Sequence, residues 1–282
     1  VDVDYFVTKE WLYDHLNDPN VVVADCRYDL QDPDAGWEAY RNGHIPGAVF
    51  FDLKKDLSGP AAVHGGRHPL PSVDDLTATL NAAGVDHHKH VVVYDDQHGS
   101  MAGRLWWLLR YVGHPTVSLL DENYAKWQAQ GYPTSTEVPV PRPTHFEPKL
   151  QPDMRVDIDD VKALKEKENV VVLDARAPER YRGEQELIDK KAGHIPGAEN
   201  WFWKENIGSD GKWKSTEGLA ERFRSLQQKD AVVVYCGSGV SANANIIALK
   251  QAGIENVKLY PGSWSDWASY DQNPISKGEE TP

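Results

Sequence analysis

A chain of 282 residues is long enough for two ordinary domains, and 40% hydrophobic residues with ten tryptophans mark it as packed globular protein, not disordered. A formal charge of −13 argues against nucleic acid and anionic membrane surfaces as partners. It also requires any anionic substrate to be met by a local cluster of cations. No run of about 18 apolar residues occurs, so no membrane span is expected, and the opening VDVDYFVTKEWLYDHL lacks the basic-then-apolar layout of a signal peptide. Cys26 and Cys236 fall in different halves, which predicts no structural disulfide and a reducing, cytoplasmic setting.

In chain order, the first strong signal is VVVADCRYDLQDPDAGWEAYRNGHIPGAVFFD (21–52), a β-branched run ending in Asp25, with Arg27 two residues on and GHIPGA at 43–48. VVVYDDQHGS (91–100) and VSLLDENYAKW (117–127) follow. The stretch STEVPVPRPTHFEPKLQP (135–152) is too rich in proline to continue a helix or a central strand and reads as an extended linker.

Beyond the linker the series returns. VVVLDARAPERYRGEQELIDKKAGHIPGAENWFW (170–203) answers 21–52, with Asp174, Arg176 and a second GHIPGA at 193–198. VVVYCGSGVS (232–241) answers 91–100, and VKLYPGSWSDW (257–267) answers 117–127. This offset is that of a duplicated domain, not of a solenoid repeat. The second copy predicts strands over 170–173, 198–200, 232–236 and 257–260 and helices near 178–182, 216–227 and 240–252. Apolar runs without alternation fit strands buried on both faces. The expected fold class is α/β: two tandem domains, 1–134 and 153–282, each a parallel sheet flanked by helices on both faces. Ligands of such sheets sit at the carboxyl ends of the strands.

Cys236 falls at such an end. Taken alone, a cysteine after a strand is more often a small core residue. The loop that follows, Gly237, Ser238, Gly239, Val240 and Ser241, opens directly into a helix and is small enough to curl over the sulfur with its amides inward. Backbone N–H groups and a helix N-terminus favour a thiolate there. Asp95 stands at the matching place in the first half, and Cys26, with no such loop, reads as structural. Against a phosphatase loop of the C-x5-R type, position 242 is alanine, and a phosphate would lose its bidentate partner. His44 and His194 recur in both GHIPGA copies, including the half without the cysteine, and so read as structural beside a Pro–Gly turn. Trp264 and Trp267 are expected to pack in the core and pocket wall. No Cys/His set has metal-ligand spacing, so no metal site is expected.

Together, GHIPGA twice, DARAPERYRG (174–183), CGSGVSA (236–242) and GSWSDW (262–267) resemble the two-domain rhodanese-superfamily sulfurtransferases over nearly the whole chain. The resemblance implies that Cys236 carries sulfane sulfur as a persulfide and that the amino-terminal copy is non-catalytic. The loop resembles that of the mercaptopyruvate enzymes, whereas thiosulfate-specialised members usually carry basic residues inside it. The Arg of the R-Y-x-G motif, here Arg180, would bind the donor's carboxylate or sulfonate, and a cation near the thiolate also suits a net-acidic protein handling an anionic donor. Arg176 is a further candidate. A second arginine, common between that motif and GHIPG in mercaptopyruvate enzymes, is absent, with Lys190 or Lys191 as substitutes. The family's Ser–His–Asp assistance maps to Ser238, to His68 by its context RHPLPS, and to Asp52 in FFDL. The expected activity is transfer of sulfur from a small anionic donor, 3-mercaptopyruvate before thiosulfate, to a thiol, cyanide or thioredoxin-like acceptor. No cofactor is expected, and the protein would be a monomer or weak dimer. A non-catalytic persulfide carrier and a redox-sensing thiol protein are the readings from other classes.

Overall fold

The computed structural model describes residues 5–280. The first half runs β1 (Phe6–Val7), α1 (Lys9–Asp14), β2 (Val21–Asp25), α2 (Ala35–Asn42), β3 (Val49–Phe50), α3 (Val73–Ala82), β4 (His90–Tyr94), α4 (Ala102–Tyr111), β5 (Val117–Leu120) and α5 (Tyr124–Ala129). The second runs α6 (Ile158–Leu164), β6 (Val170–Asp174), α7 (Pro178–Tyr181), β7 (Glu199–Asn200), α8 (Thr216–Arg222), β8 (Ala231–Tyr235), α9 (Ala242–Gln251), β9 (Val257–Leu259) and α10 (Ser263–Trp267). Strand order is β1-β5-β4-β2-β3 in one sheet and β7-β6-β8-β9 in the other, and all pairings are parallel. The α/β class, the duplication and the central strands stand as read from the sequence. Helices cover both faces, which is why the valine runs of β2, β4, β6 and β8 need no polar alternation.

The two sheets repeat in register. Asp25 lies opposite Tyr94, and Asp174 opposite Tyr235. Each strand-end aspartate is gripped by the arginine two residues on, and that arginine also donates to the glycine carbonyl that opens GHIPGA, 2.7 Å in both copies. The motif itself is a turn in which Ala48 and Ala198 donate N–H to the carbonyls of Ile45 and Ile195, with Gly47 and Gly197 at φ +79 and +86. Tyr40 and Tyr181 stack on His44 and His194 and donate their hydroxyls to the carbonyls of Ala48 and Ala198. Both histidines are fully buried and bonded at both ring nitrogens, so they hold the turn.

One local expectation is corrected, and two short helices add to those expected. The helix expected over 216–227 ends at Arg222 and resumes as a short 3-10 turn, Arg224–Leu226, with the buried Phe223 at φ −99, ψ 18 between them. Helix α10 is too short for periodicity to show it, and α6 is announced only by its Asp157–Asp160 capping box. The chain forms two compact units, each of which takes in a segment from the other half of the sequence. One comprises residues through Gly59, Pro71–Gln151 and Ser209–Trp213; the other Pro60–Leu70, Pro152–Gly208 and from Lys214 onward. The exchanges have local causes. Gly65 and Arg67 donate their amides to Asp266 and Ser265. Trp213 packs on Phe6. The proline-rich stretch lies on the first unit, where Phe146 is buried and Lys149 donates to the Val112 carbonyl.

One buried histidine makes the first unit acid-sensitive. His114 accepts the Thr116 amide at Nδ1 and donates from Nε2 to the Asp86 carbonyl, so the neutral ring satisfies both neighbours. Burial lowers its pKa from 6.5 to about 4. Unfolded, the ring takes a proton near 6.5; folded, only near 4, so its contribution is complete above pH 6.5 and drains away as the pH falls through 4. That amounts to roughly 3 kcal/mol. Urea unfolding at pH 7 and pH 4.5 is expected to show a smaller acid loss for His114→Gln than for the wild type.

Candidate active site

Cys236 is the first residue beyond β8, and the loop it opens is held by α10. Its N–H donates to Ser263 Oγ at 3.1 Å, and its carbonyl accepts the Trp264 amide at 2.9 Å. The next carbonyl, of Gly237, accepts the Ser265 amide at 2.9 Å. The Asn243 side chain donates to the carbonyls of Gly239 and Val240. With these carbonyls tied outward, the Gly239 amide points to Cys236 Sγ, at 3.2 Å. Gly239 sits at φ +78, and a Cβ there would lie 2.3 Å from the Pro261 carbonyl oxygen. Ser241 is the N-cap of α9 but makes no side-chain cap bond, so the helix opens toward the loop without a cap of its own. Cys236 is 1% exposed.

The first unit shows what this turn is built to hold. Asp95 takes the place of the cysteine, and its carboxylate accepts four amides, those of Gln97 and Gly99 on one oxygen and Met101 and Ala102 on the other, at 2.8–2.9 Å. Burial pushes the Asp95 carboxyl up, and the four amides pull it back toward the charged form. Helix α4, like α9, has no side-chain cap bond at its own N-cap residue. The amides of Met101 and Ala102 are capped instead by Asp95. The glycines that correspond are Gly99, φ +83, and Gly239, so the first loop is one residue longer than a gapless comparison gives. Cys26 lies outside any such cradle, and burial pushes its thiol well up.

Ser238 and His68 are brought together, with Nδ1 and Oγ 2.8 Å apart and both residues buried. Asp52 belongs to the first unit, where its Oδ1 accepts the amides of Lys54 and Lys55. Arg176 grips Asp174 and the Gly193 carbonyl through Nε and Nη2, as Arg27 does with its own partners, and only Nη1 lacks a hydrogen bond. Arg180 stands at the loop: a Cβ on Gly237 would lie 3.4 Å from both its Nη atoms. Lys190 and Lys191 line a cleft of about 490 Å³ with Arg67 and Asp189, and Lys191 pairs with Asp271. Trp264 and Trp267 are fully buried core residues.

Sequence reasoning missed Arg67, Asp189, Glu186 and the polar residues of α10. Arg67 Nη2 would lie 3.3 Å from a Gly237 Cβ, beside Arg180. Its one sequence signal is adjacency to His68. Asp189 pairs with both Arg67 and Arg180, and Glu186 holds Arg180 at 3.0 Å. Three cations cluster around the loop, each with a carboxylate partner: Arg67, Arg176 and Arg180 meet Asp174, Glu186 and Asp189.

The family model described as a rhodanese-like domain matches this chain twice, over residues 8–130 and 157–270. The chain belongs to the two-domain rhodanese-family sulfurtransferases. It is 41% identical to a protein of Pseudomonas aeruginosa named as a probable 3-mercaptopyruvate sulfurtransferase, covering 97% of this chain and 98% of that one. It is 38% identical to a Mycobacterium tuberculosis protein, SseB, assigned provisionally by its name to the thiosulfate sulfurtransferases, covering 92% and 91%. The crystal structure of SseA, the 3-mercaptopyruvate enzyme of Escherichia coli, superposes with a TM-score of 0.81 at 33% identity, covering 93% and 99%. Among the described residues no helix is long and apolar enough to cross a membrane.

Because Gly239 combines a positive φ with contact on the Pro261 carbonyl, Gly239→Ala is expected to destabilise the second unit by at least ~2 kcal/mol. A lowered thermal midpoint, with Gly253→Ala, also at positive φ but facing open space, as the milder control, checks this.

Proposed function

We propose that the protein is a 3-mercaptopyruvate sulfurtransferase working through a persulfide on Cys236. The carrying observation is the pair of cradles. The first unit's turn binds a carboxylate with four amides, and the second unit's turn presents the same glycine amide to a sulfur. A turn of inward amides suits both a thiolate and the sulfur pair of the persulfide that replaces it.

In this reading Arg180 binds the donor's carboxylate, and the thiolate attacks the donor sulfur. An S–S bond forms as the C–S bond breaks, and its electron pair stays on the carbon as an enolate. That enolate takes a proton relayed through the Ser238–His68 pair, 2.8 Å apart, and leaves as pyruvate, while the donor's thiol proton stays on the persulfide. The amides of Gly237, Ser238, Gly239, Val240 and Ser241 surround the outer sulfur. A thiol or cyanide then attacks that sulfur, the S–S bond breaks, one proton is released and Cys236 returns as thiolate. Arg176 supports the site through its fork on Asp174 and the Gly193 carbonyl, and no step is assigned to Asp52, whose Oδ1 is held by its own turn.

Intact mass after exposure to 3-mercaptopyruvate is expected to rise by one sulfur atom, a gain absent in Cys236→Ser. Steady-state turnover with cyanide should give a kcat/KM at least tenfold higher for 3-mercaptopyruvate than for thiosulfate. A preference for thiosulfate overturns the choice of donor, and loading without turnover makes the protein a persulfide carrier.

A further inference from the structure

The donor site lacks a second arginine along the stretch 184–192, and the fold supplies one from elsewhere. Residues 64–68 are laid against α10: Gly65 donates to Asp266 Oδ1 at 2.8 Å, Arg67 donates its amide to Ser265 Oγ at 3.1 Å, and His68 meets Ser238. Gly66, at φ +86, packs so closely that a Cβ would lie 2.6 Å from the Gly262 carbonyl oxygen. These bonds set the Arg67 side chain beside that of Arg180, over Gly237.

The two guanidiniums are disposed alike. Arg67 gives Nη1 to Asp189, and Arg180 gives Nε and Nη2 to Glu186, with Nη2 also 3.4 Å from Asp189. Arg67 Nη2 and Arg180 Nη1 make no hydrogen bond among the described residues, and both stand against Gly237, next to the sulfur-bearing residue. The Asp189 carboxylate, one oxygen on each arginine and its side chain 7% exposed, occupies the position of a bound carboxylate between two guanidiniums.

Resting on the sulfurtransferase reading above, we propose that Arg67 is the second guanidinium of the donor site and that Asp189 is the internal counter-ion a carboxylate donor must displace. With Glu186 and Asp189 in place the two arginines carry no net excess of charge, so an incoming anion gains little Coulombic attraction. When Asp189 swings out, Arg67 is freed to turn to the donor while Arg180, still held by Glu186 through Nε and Nη2, offers Nη1, and these converging N–H groups select a planar carboxylate. Asp189 thus sets donor affinity by competition, and Arg67 sets preference for a carboxylate.

Single-turnover loading, followed as the mass gain of one sulfur over a range of 3-mercaptopyruvate concentrations, tests this. Arg67→Ala is expected to raise the half-saturating concentration at least tenfold with the maximal loading rate changed less than threefold. Arg67→Lys, which keeps charge but not the fork, should fall between. Asp189→Asn should lower the half-saturating concentration at least threefold. Thermal melts identify any variant that fails to fold, and Arg67→Lys then carries the test in place of Arg67→Ala. An unchanged half-saturating concentration in both Arg67 variants overturns the proposal, as does a raised one in Asp189→Asn, which would make Asp189 a strut for the arginines. Absence of loading in the wild type overturns the sulfurtransferase reading itself.

Discussion

Both halves are organised around one electrostatic requirement. A strand that turns at once into a helix leaves a concave set of N–H groups, and such a set is stable only around negative charge or a strong acceptor. In the first half Asp95 meets that need from within, satisfying four amides and taking over the capping of α4. In the second half the same turn encloses Cys236, which accepts from Gly239. The proposed chemistry rests on that difference of one side chain: a carboxylate fills the cradle with its own charge, whereas a sulfur in the same place would be able to receive a second sulfur and give it up.

Around this turn the fold is a duplicated frame. The Asp–Arg–Gly fork ties the end of the central strand to the start of GHIPGA, and the Tyr–His stack ties the end of that motif to the preceding helix. Identity of these contacts in the half that carries Cys236 and in the half that has Asp95 in its place assigns them to support. Their effect on the site is indirect but necessary, since they fix the strand ends from which the sulfur-bearing loop departs.

Charge around the loop is balanced, not positive. Three guanidiniums face three carboxylates, so the partly and fully buried arginines around the loop each have a compensating charge. Helix α10 is what brings the members together, holding the loop by its backbone amides and residues 64–68 by the side chains of Ser265 and Asp266.

Much of this was legible in the sequence because it is local. Valine runs, turn residues and the cysteine followed by small residues each state their structure within a few positions, and the repeat confirmed which residues belong to the frame. The helix break at Phe223, and α10 with five residues, escaped because short elements carry no periodicity. Arg67 and Asp189 escaped for a deeper reason: an arginine in a coil and an aspartate in a charged stretch look like ordinary surface residues, and only partners distant in the chain give them meaning. The sequence by itself determined the duplicated α/β architecture and the small-residue turn that opens at Cys236, since hydrophobic period and turn chemistry act over short range. Only the tertiary structure decided that residues 60–70 join the second unit and that two arginines share one carboxylate, because side-chain pairing across more than a hundred residues depends on where the packed core places each backbone.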